Sequence, residues 1–344
     1  MTSFKEEFPM IKVQIVLFDG FDLMDAIAPY EVFSGAAMYS DNALSVEFVT
    51  AEGPRSVVSG VNGLKIEASG RLNPKRAGII LVPGASGELE GDGPDSIPVL
   101  LGRAANTSIT ELMKQALRQK DVVVATVCGG SLVLAMGGLL EGRTAVTNRL
   151  GMDFLGATGV NPVWARVVDD GNLVSGGGVT SGLDVALYLV ERELGPRIAL
   201  AVEKLFEFER RGTVWRASGL APLLSSGTQE GDTSEPELSS GVRSDAGFVG
   251  EWDTTLATPV GKLQVRLSIS AKDGTIRGTA VQGDEAVEFI DPVLRDGTLT
   301  WSLRITKPLR LNLKFVAAVD GDDMTGIAKA GILPATKLTG RRIR

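Results

Sequence analysis

The chain has 344 residues, a net charge of −7, one cysteine and no histidine. The missing histidine excludes a Ser-His-Asp or Cys-His catalytic pair, a histidine general base and a histidine-containing zinc site. A single cysteine excludes an internal disulfide and a cysteine-rich metal site. Any catalysis must therefore use carboxylates, Tyr, Lys, Arg, backbone amides or the one thiol, and we expect neither a metal nor a cofactor.

The charge and the apolar pattern restrict the partners. A nucleic-acid surface needs a basic face, so the negative charge favours a small-molecule partner. Residues 1–10 contain two acids and no long apolar run, so we expect no signal peptide. No stretch approaches the ~18 apolar residues of a transmembrane helix. These patterns predict a cytoplasmic protein with no membrane or nucleic-acid partner.

The first part of the chain alternates short apolar strands with helices. The predicted strands are residues 13–18, 46–50, Gly78–Val82, 121–127 and a pair at 167 and 173–174. The predicted helices are residues 26–40, 109–119, 132–140, Ser181–Leu194 and 196–211. Apolar strands alternating with helices indicate a parallel sheet covered on both faces. We therefore predict an α/β domain over residues 10–215.

The composition and then the period change after this domain. Residues 216–246 are rich in Ser, Gly, Glu and Asp, which predicts a linker. From there to the end, apolar residues alternate with polar ones and Asp-Gly turns separate the runs. We predict a small antiparallel β-barrel over residues 247–344, lipocalin-like in its strand pattern. Its aromatic residues Trp252, Phe289 and Trp301 either fill a core or line a pocket.

Cys128 occupies the turn between an apolar strand and an apolar helix. This position lies at the carboxyl edge of the predicted sheet, where open α/β sheets bind their ligands. The amides at the start of the next helix are expected to lower the pKa of the thiol and to form an oxyanion hole, with Gly129 in the tight turn. The alternative is a buried and inert cysteine.

Four segments in this order resemble the ThiJ/PfpI superfamily, over about residues 10 to 211. They are LFDGFDLMDAIAPYEVFSGA, LVPGASG, TVCGGSLVLAMGGLLEGRTAVT and DGNLVSGGGVTSGLDVALYLVERELG. The resemblance implies a flavodoxin-like sheet of the class I glutamine-amidotransferase type and a homodimer. It implies that Cys128 is the nucleophile, that Asp25 is the carboxylate facing it, and that Gly84 supplies an oxyanion-hole amide. The branch with the greatest similarity is that of the isonitrile hydratases and the ThiJ-like halves of AraC-type regulators.

Two positions depart from the hydratase-like pattern. Asn148 stands where that branch usually has a histidine, and Gly129 stands where a threonine is frequent. Asn148 is a candidate for hydrogen bonding to the substrate. Glu31, on the same helix as Asp25, is a weaker candidate for a second carboxylate at the substrate.

A carboxyl group near the thiol in a poorly solvated cleft is expected to have a raised pKa and to act as an acid. We therefore predict a lyase or hydratase in which Cys128 attacks a small apolar electrophile and Asp25 moves the protons. For Asp25 the alternative is an N-cap of its helix, with Asp19 and Asp22 in an exposed loop. The alternative functions are a tailoring enzyme or cyclase with a pocket between the two domains, and a binding or sensing protein without chemistry.

Overall fold

The computed structural model describes residues 10–89, 93–220, 247–258, 261–272, 275–282, 285–295, 297–305, 311–330 and 336–343. Most of the predicted linker, residues 221–246, lies outside these ranges. The helices are α1 (Leu23–Tyr39), α2 (Ile97–Ala105), α3 (Ser108–Ala116), α4 (Gly130–Met136), α5 (Met152–Ala157), α6 (Ser181–Leu194) and α7 (Pro196–Phe206). Among the described residues, no helix has the length and apolar character needed to cross a bilayer.

Among the residues that the structure describes, twelve strands precede residue 217. They are β1 (Ile11–Val16), β2 (Leu44–Thr50), β3 (Arg55–Val58), β4 (Lys65–Ala68), β5 (Gly70–Arg71), β6 (Gly78–Val82), β7 (Val122–Val127), β8 (Thr144–Ala145), β9 (Asn161–Pro162), β10 (Val167–Asp169), β11 (Leu173–Gly176) and β12 (Trp215–Arg216). Eight of them form one sheet in the order β12-β10-β11-β7-β6-β1-β2-β5. Its pairs are parallel except for β10 with β11. The predicted flavodoxin-like α/β fold is confirmed.

Two groups of helices cover this sheet. Helices α1, α6 and α7 pack on one another, and α2, α3 and α4 form a second group. The central strands are buried along most of their length, which explains their uninterrupted apolar sequences. Strands β11, β7, β6 and β1 are neighbours and parallel, so the loops that follow them meet at one edge of the sheet. This edge carries Asp25, Gly84 and Cys128.

The remaining nine strands form an antiparallel sheet that nearly closes on itself. They are β13 (Gly250–Thr258), β14 (Gly261–Lys272), β15 (Thr275–Gln282), β16 (Glu285–Glu288), β17 (Ile290–Arg295), β18 (Thr298–Ile305), β19 (Leu311–Asp320), β20 (Asp323–Ala330) and β21 (Thr336–Arg342). Their order is β16-β15-β14-β13-β21-β20-β19-β18-β17. The first strand, β13, pairs with the last, β21. The two edge strands, β16 and β17, are consecutive in the chain and are separated by the single residue Phe289. The predicted barrel is confirmed.

Aromatic rings occupy the interior of the barrel. Trp301 stacks between Phe289 and Phe315, with ring centroids 4.9 Å apart on each side. Trp252 is fully buried, and its indole N–H donates to the carbonyl of Phe248 at 2.9 Å. The guanidinium of Arg342 lies 4.2 Å from the centre of the Trp252 ring, a cation–π contact at the end of the barrel. The rings therefore pack as a core around Trp301, as the first of the two alternatives predicts.

Candidate active site

Cys128 lies on a strained turn between β7 and α4. Its backbone φ is +54°, in the left-handed region that non-glycine residues rarely adopt. Its N–H donates to the carbonyl of Gly176 at 3.0 Å, so the last residue of β11 holds the turn. A Cβ on Gly130 would lie 2.1 Å from the carbonyl oxygen of Val82, so only glycine fits there. The sequence TVCGG thus folds as a sharp elbow between strand and helix, with its thiol at the carboxyl edge of the sheet.

Asp25 lies in the first turn of α1, but it does not cap the helix. The cap is Asp22, whose Oδ1 accepts from the N–H groups of Met24 at 2.9 Å and of Asp25 at 3.2 Å. The N-cap alternative for Asp25 is therefore wrong, and the cap is Asp22, half-buried at the end of the loop before α1. Capping by Asp22 leaves the Asp25 side chain free to point inward, where it is fully buried.

Gly84 holds the Asp25 carboxyl. Its N–H donates to Asp25 Oδ2 at 2.9 Å, and its carbonyl accepts from the Asp22 N–H at 2.8 Å. A Cβ on Gly84 would lie 2.6 Å from the Gly129 nitrogen, so the loop after β6 approaches the elbow closely. The amide that was expected to form an oxyanion hole is thus bound to the carboxyl in this structure. Its role here is to orient Asp25.

The carboxyl and the thiol are both protonated at neutral pH. Burial, followed by the charge of Asp22, raises the pKa of Asp25 to about 8, against weaker opposing contacts with the Gly84 amide and the Cys128 thiol. Burial, followed by the charge of Asp25, raises the pKa of Cys128 to about 12. The raised pKa predicted for the carboxyl is confirmed. The lowered pKa predicted for the thiol is wrong, because burial and the charge of Asp25 outweigh the hydrogen bonds from Asn148 and Gly129.

Asn148 donates a hydrogen bond to the sulfur. Its Nδ2 lies 3.5 Å from Cys128 Sγ, while its Oδ1 accepts from the Leu150 N–H at 3.1 Å. Because Leu150 occupies the carbonyl oxygen, the amide presents its N–H groups to the thiol. The neighbouring Thr147 hydroxyl donates to the Cys128 carbonyl at 2.7 Å. The Asn148 amide can donate a hydrogen bond to the thiol but cannot take up its proton. Asp25 is the neighbour of the thiol that can exchange a proton with it.

Of the two remaining candidate residues, Gly129 lies at the site and Glu31 lies on the surface. The Gly129 amide hydrogen-bonds the thiol and opposes the rise of its pKa. Glu31 is exposed, six residues after Asp25 and therefore on another side of α1. The structure does not bring Glu31 to the thiol. Among the described residues, no group of three or more Cys, Asp or Glu side chains is arranged to hold a metal ion.

The sequence profile of the DJ-1/PfpI family matches residues 11–192, more than half of the chain. The chain belongs to the DJ-1/PfpI family. The barrel that follows residue 247 lies outside the matched region.

Several curated proteins are similar to parts of this DJ-1/PfpI chain. Isonitrile hydratase of Pseudomonas putida is 46% identical over 85 residues, which are 25% of this chain and 37% of the hydratase. The HTH-type transcriptional regulator CdhR of Pseudomonas aeruginosa is 26% identical over 200 residues, which are 57% of this chain and 54% of the regulator. The chain thus matches about a third of the hydratase and about half of the regulator.

Two solved structures are similar to part of this chain. A ThiJ/PfpI family protein from Pseudomonas syringae has a TM-score of 0.49 and 24% identity, covering 62% of this chain and 82% of that protein. DJ-1beta of Drosophila melanogaster has a TM-score of 0.47 and 17% identity, covering 58% of this chain and 98% of that protein.

Introducing an imidazole at position 148 tests the electrostatics of this DJ-1/PfpI site. In Asn148→His, an imidazolium beside the sulfur would stabilise the thiolate, and each unit of decrease in the thiol pKa raises the thiolate fraction about tenfold. We expect Cys128 to react several-fold faster with iodoacetamide at pH 7. The control is Asn161→His, at an exposed asparagine that donates to the Gly142 carbonyl. Equal rates for Asn148→His and the unmodified chain would contradict this account of the thiol.

Proposed function

We propose that the chain is a lyase that hydrates small apolar isonitriles, with Cys128 as the nucleophile and Asp25 as the general acid and base. The observation that carries the proposal is the buried Asp25 carboxyl in contact with the Cys128 thiol, because its raised pKa keeps it protonated and able to supply the proton that hydration needs. The local identity with isonitrile hydratase supports the substrate class. The homodimer and the cytoplasmic location remain predictions.

The first half-reaction joins the thiol to the substrate carbon. Asp25 donates its proton to the terminal carbon of the isonitrile, and Sγ of Cys128 forms a bond to the same carbon. The thiol proton passes to the Asp25 carboxylate, so the carboxyl is protonated again. The product is a thioimidate in which the sulfur is bonded to a carbon that is double-bonded to nitrogen.

Water completes the hydration. Asp25 donates its proton to the thioimidate nitrogen and accepts a proton from the water that adds to the carbon. The carbon–sulfur bond of the resulting adduct then breaks, and the hydroxyl proton returns to the sulfur through Asp25. The net reaction adds one water to one isonitrile and releases an N-substituted formamide.

A protonated Asp25 and a protonated Cys128 are the forms that these proton transfers require at the start of the reaction. A carboxyl with a pKa of about 8 still holds its proton at pH 7, which an ordinary aspartate does not. A thiol with a pKa of about 12 gives up its proton only as the carbon–sulfur bond forms. The donors from Asn148 and Gly129 stabilise the negative charge that develops on the sulfur when this bond forms and breaks.

A binding protein without chemistry is the second candidate. The protonated and buried thiol favours it, because the thiolate is the nucleophilic form of cysteine. A pocket between the domains, as a cyclase would use, has less support. The cleft of about 880 Å³ beside α6 and α7 is lined by residues of the α/β domain and by Arg216, Ser218 and Leu220 of the predicted linker. The cleft of about 530 Å³ near the start of β1 is lined by residues of the α/β domain. Neither lining includes Cys128 or a residue of the barrel.

Product formation separates these candidates. The protein is mixed with an alkyl isonitrile, the formyl proton of the formamide is followed by NMR, and an acid-quenched sample is analysed by mass spectrometry. A hydratase gives formamide and a transient mass increase on the peptide that contains Cys128. Glu31→Gln, which removes an exposed carboxylate, is expected to leave both signals unchanged. Formamide no faster than without protein, and no adduct on Cys128, would refute the hydratase.

A further inference from the structure

One segment of the α/β domain carries two of the side chains that bond Cys128 from outside the elbow, Thr147 and Asn148. We call residues 141–157 the site arm; it includes β8, Thr147, Asn148, a short 3-10 helix at Arg149–Gly151 and α5. Within its own domain, the arm is anchored at Arg143, which donates to Asn172 Oδ1 and to the backbone carbonyl of Asp170. It is also anchored at Val146, whose N–H donates to Ser175 Oγ and whose carbonyl accepts from Ser131 Oγ. The position of Asn148 against the sulfur thus depends on how the arm is held.

The barrel contacts the site arm near both of its ends. At the first end, Glu141 forms an ion pair with Arg304 of β18, with 2.8 Å between Oε1 and Nη2. At the other end, α5 packs on β19 and β20. Strands β18, β19 and β20 are consecutive neighbours in the barrel. One continuous face of the barrel therefore borders the arm on both sides of Asn148.

We propose that the barrel is a brace that holds Asn148 against Cys128, with Arg304 and Glu141 as positioning residues. An exposed ion pair alone contributes little, but here it acts together with the packing of α5 on a rigid sheet. The hydrogen bond from Asn148 to Sγ measures 3.5 Å, and such a contact weakens steeply as it lengthens or bends. A small movement of the arm is thus sufficient to lose it.

This brace assigns a role to a barrel that the family match does not cover. It rests on the proposed function only in taking Cys128 as the reacting group. The contacts that define it exist whichever reaction the thiol performs. Its test can therefore be made without any substrate.

The test reverses the charge of the barrel residue and then restores the pair. Arg304→Glu places two negative charges opposite each other, and Glu141→Arg combined with Arg304→Glu restores attraction with the charges exchanged. The readout is the side-chain amide resonance of Asn148 in protein labelled with ¹⁵N-asparagine, assigned by its loss in Asn148→Asp. The matched control is Arg266→Glu, which disrupts another barrel ion pair, with Asp253 at 3.1 Å and similar exposure.

We expect Arg304→Glu to shift the Asn148 amide resonance, the exchanged pair to return it, and Arg266→Glu to leave it in place. Arg304→Gln, which adds no repulsion, should give a smaller shift in the same direction. An unchanged resonance in Arg304→Glu, or a shift of the same size in Arg266→Glu, would overturn the brace. A shift with recovery, in a protein that forms no formamide, would keep the brace and reject the hydratase.

Discussion

Asp25→Asn is expected to abolish turnover and, in the same protein, to increase the stability of the fold at neutral pH. The amide can still accept the hydrogen bond from Gly84, but it has no proton to give to the substrate. Loss of a general acid typically costs about 10²- to 10⁴-fold in rate. The measurement is kcat for formamide production, together with the midpoint of denaturant unfolding.

The gain in stability follows from the sign of the pKa shift. The pKa of Asp25 is about 8 in the folded chain, against an ordinary value of 3.8. The unfolded chain therefore loses its proton first, and stability falls as the pH rises from about 4 to 8. At pH 7 this cost is on the order of 4 kcal/mol, and asparagine removes it. The variant should be more stable at pH 7 and no more stable at pH 3.5.

The same pKa predicts the pH dependence of catalysis. Because the acid form of Asp25 acts first, kcat should fall about tenfold for each pH unit above 8. Glu31→Gln serves as the control, since its exposed carboxylate should affect neither the stability nor the pH profile. Full activity of Asp25→Asn, or an unfolding free energy at pH 7 below that of the unmodified chain, would contradict the assignment.

The sequence was sufficient to predict that Cys128 and Asp25 lie at one edge of the sheet. Parallel strands end at a common edge, so the cysteine after β7 and the aspartate after β1 lie at the same edge with only β6 between their strands, and the family resemblance named Asp25 as the facing carboxylate. The same turn requires glycine at position 130, because a Cβ there would clash with the Val82 carbonyl oxygen. The period-two pattern after residue 247 likewise predicted the barrel, but not its strand order, in which β13 pairs with β21 and the edges are β16 and β17.

The electrostatics of the site depend on features that a local motif does not contain. The elbow suggested a lowered thiol pKa through its helix, whereas burial and Asp25 dominate in the folded chain. Asp19, Asp22 and Asp25 lie three residues apart, and the start of α1 decides which of them is the cap. Glu31 could have been excluded, since a helix turns by about 100° per residue and six residues move a side chain well away from Asp25.

Cys128→Ser gives the second large effect, because it keeps the size of the side chain and removes its nucleophilicity. A hydroxyl ionises far less readily than a thiol, and Asp25 is itself protonated, so no strong base activates the serine. We expect kcat for formamide production to fall by at least about 10³-fold, in the range of nucleophile replacements in other enzymes.

The fold should survive this change, so that the loss can be assigned to chemistry. The elbow is held by the Cys128 backbone, through its N–H to Gly176 and its carbonyl to Thr147, and serine keeps both hydrogen bonds. Unchanged near-ultraviolet circular dichroism and the absence of an adduct on the elbow peptide are therefore expected together. A serine variant that retains more than a tenth of the activity would show that the hydration does not proceed through a covalent bond to residue 128. Asp25 would then have to activate water directly, and the pH profile would rise, rather than fall, through the pKa of about 8.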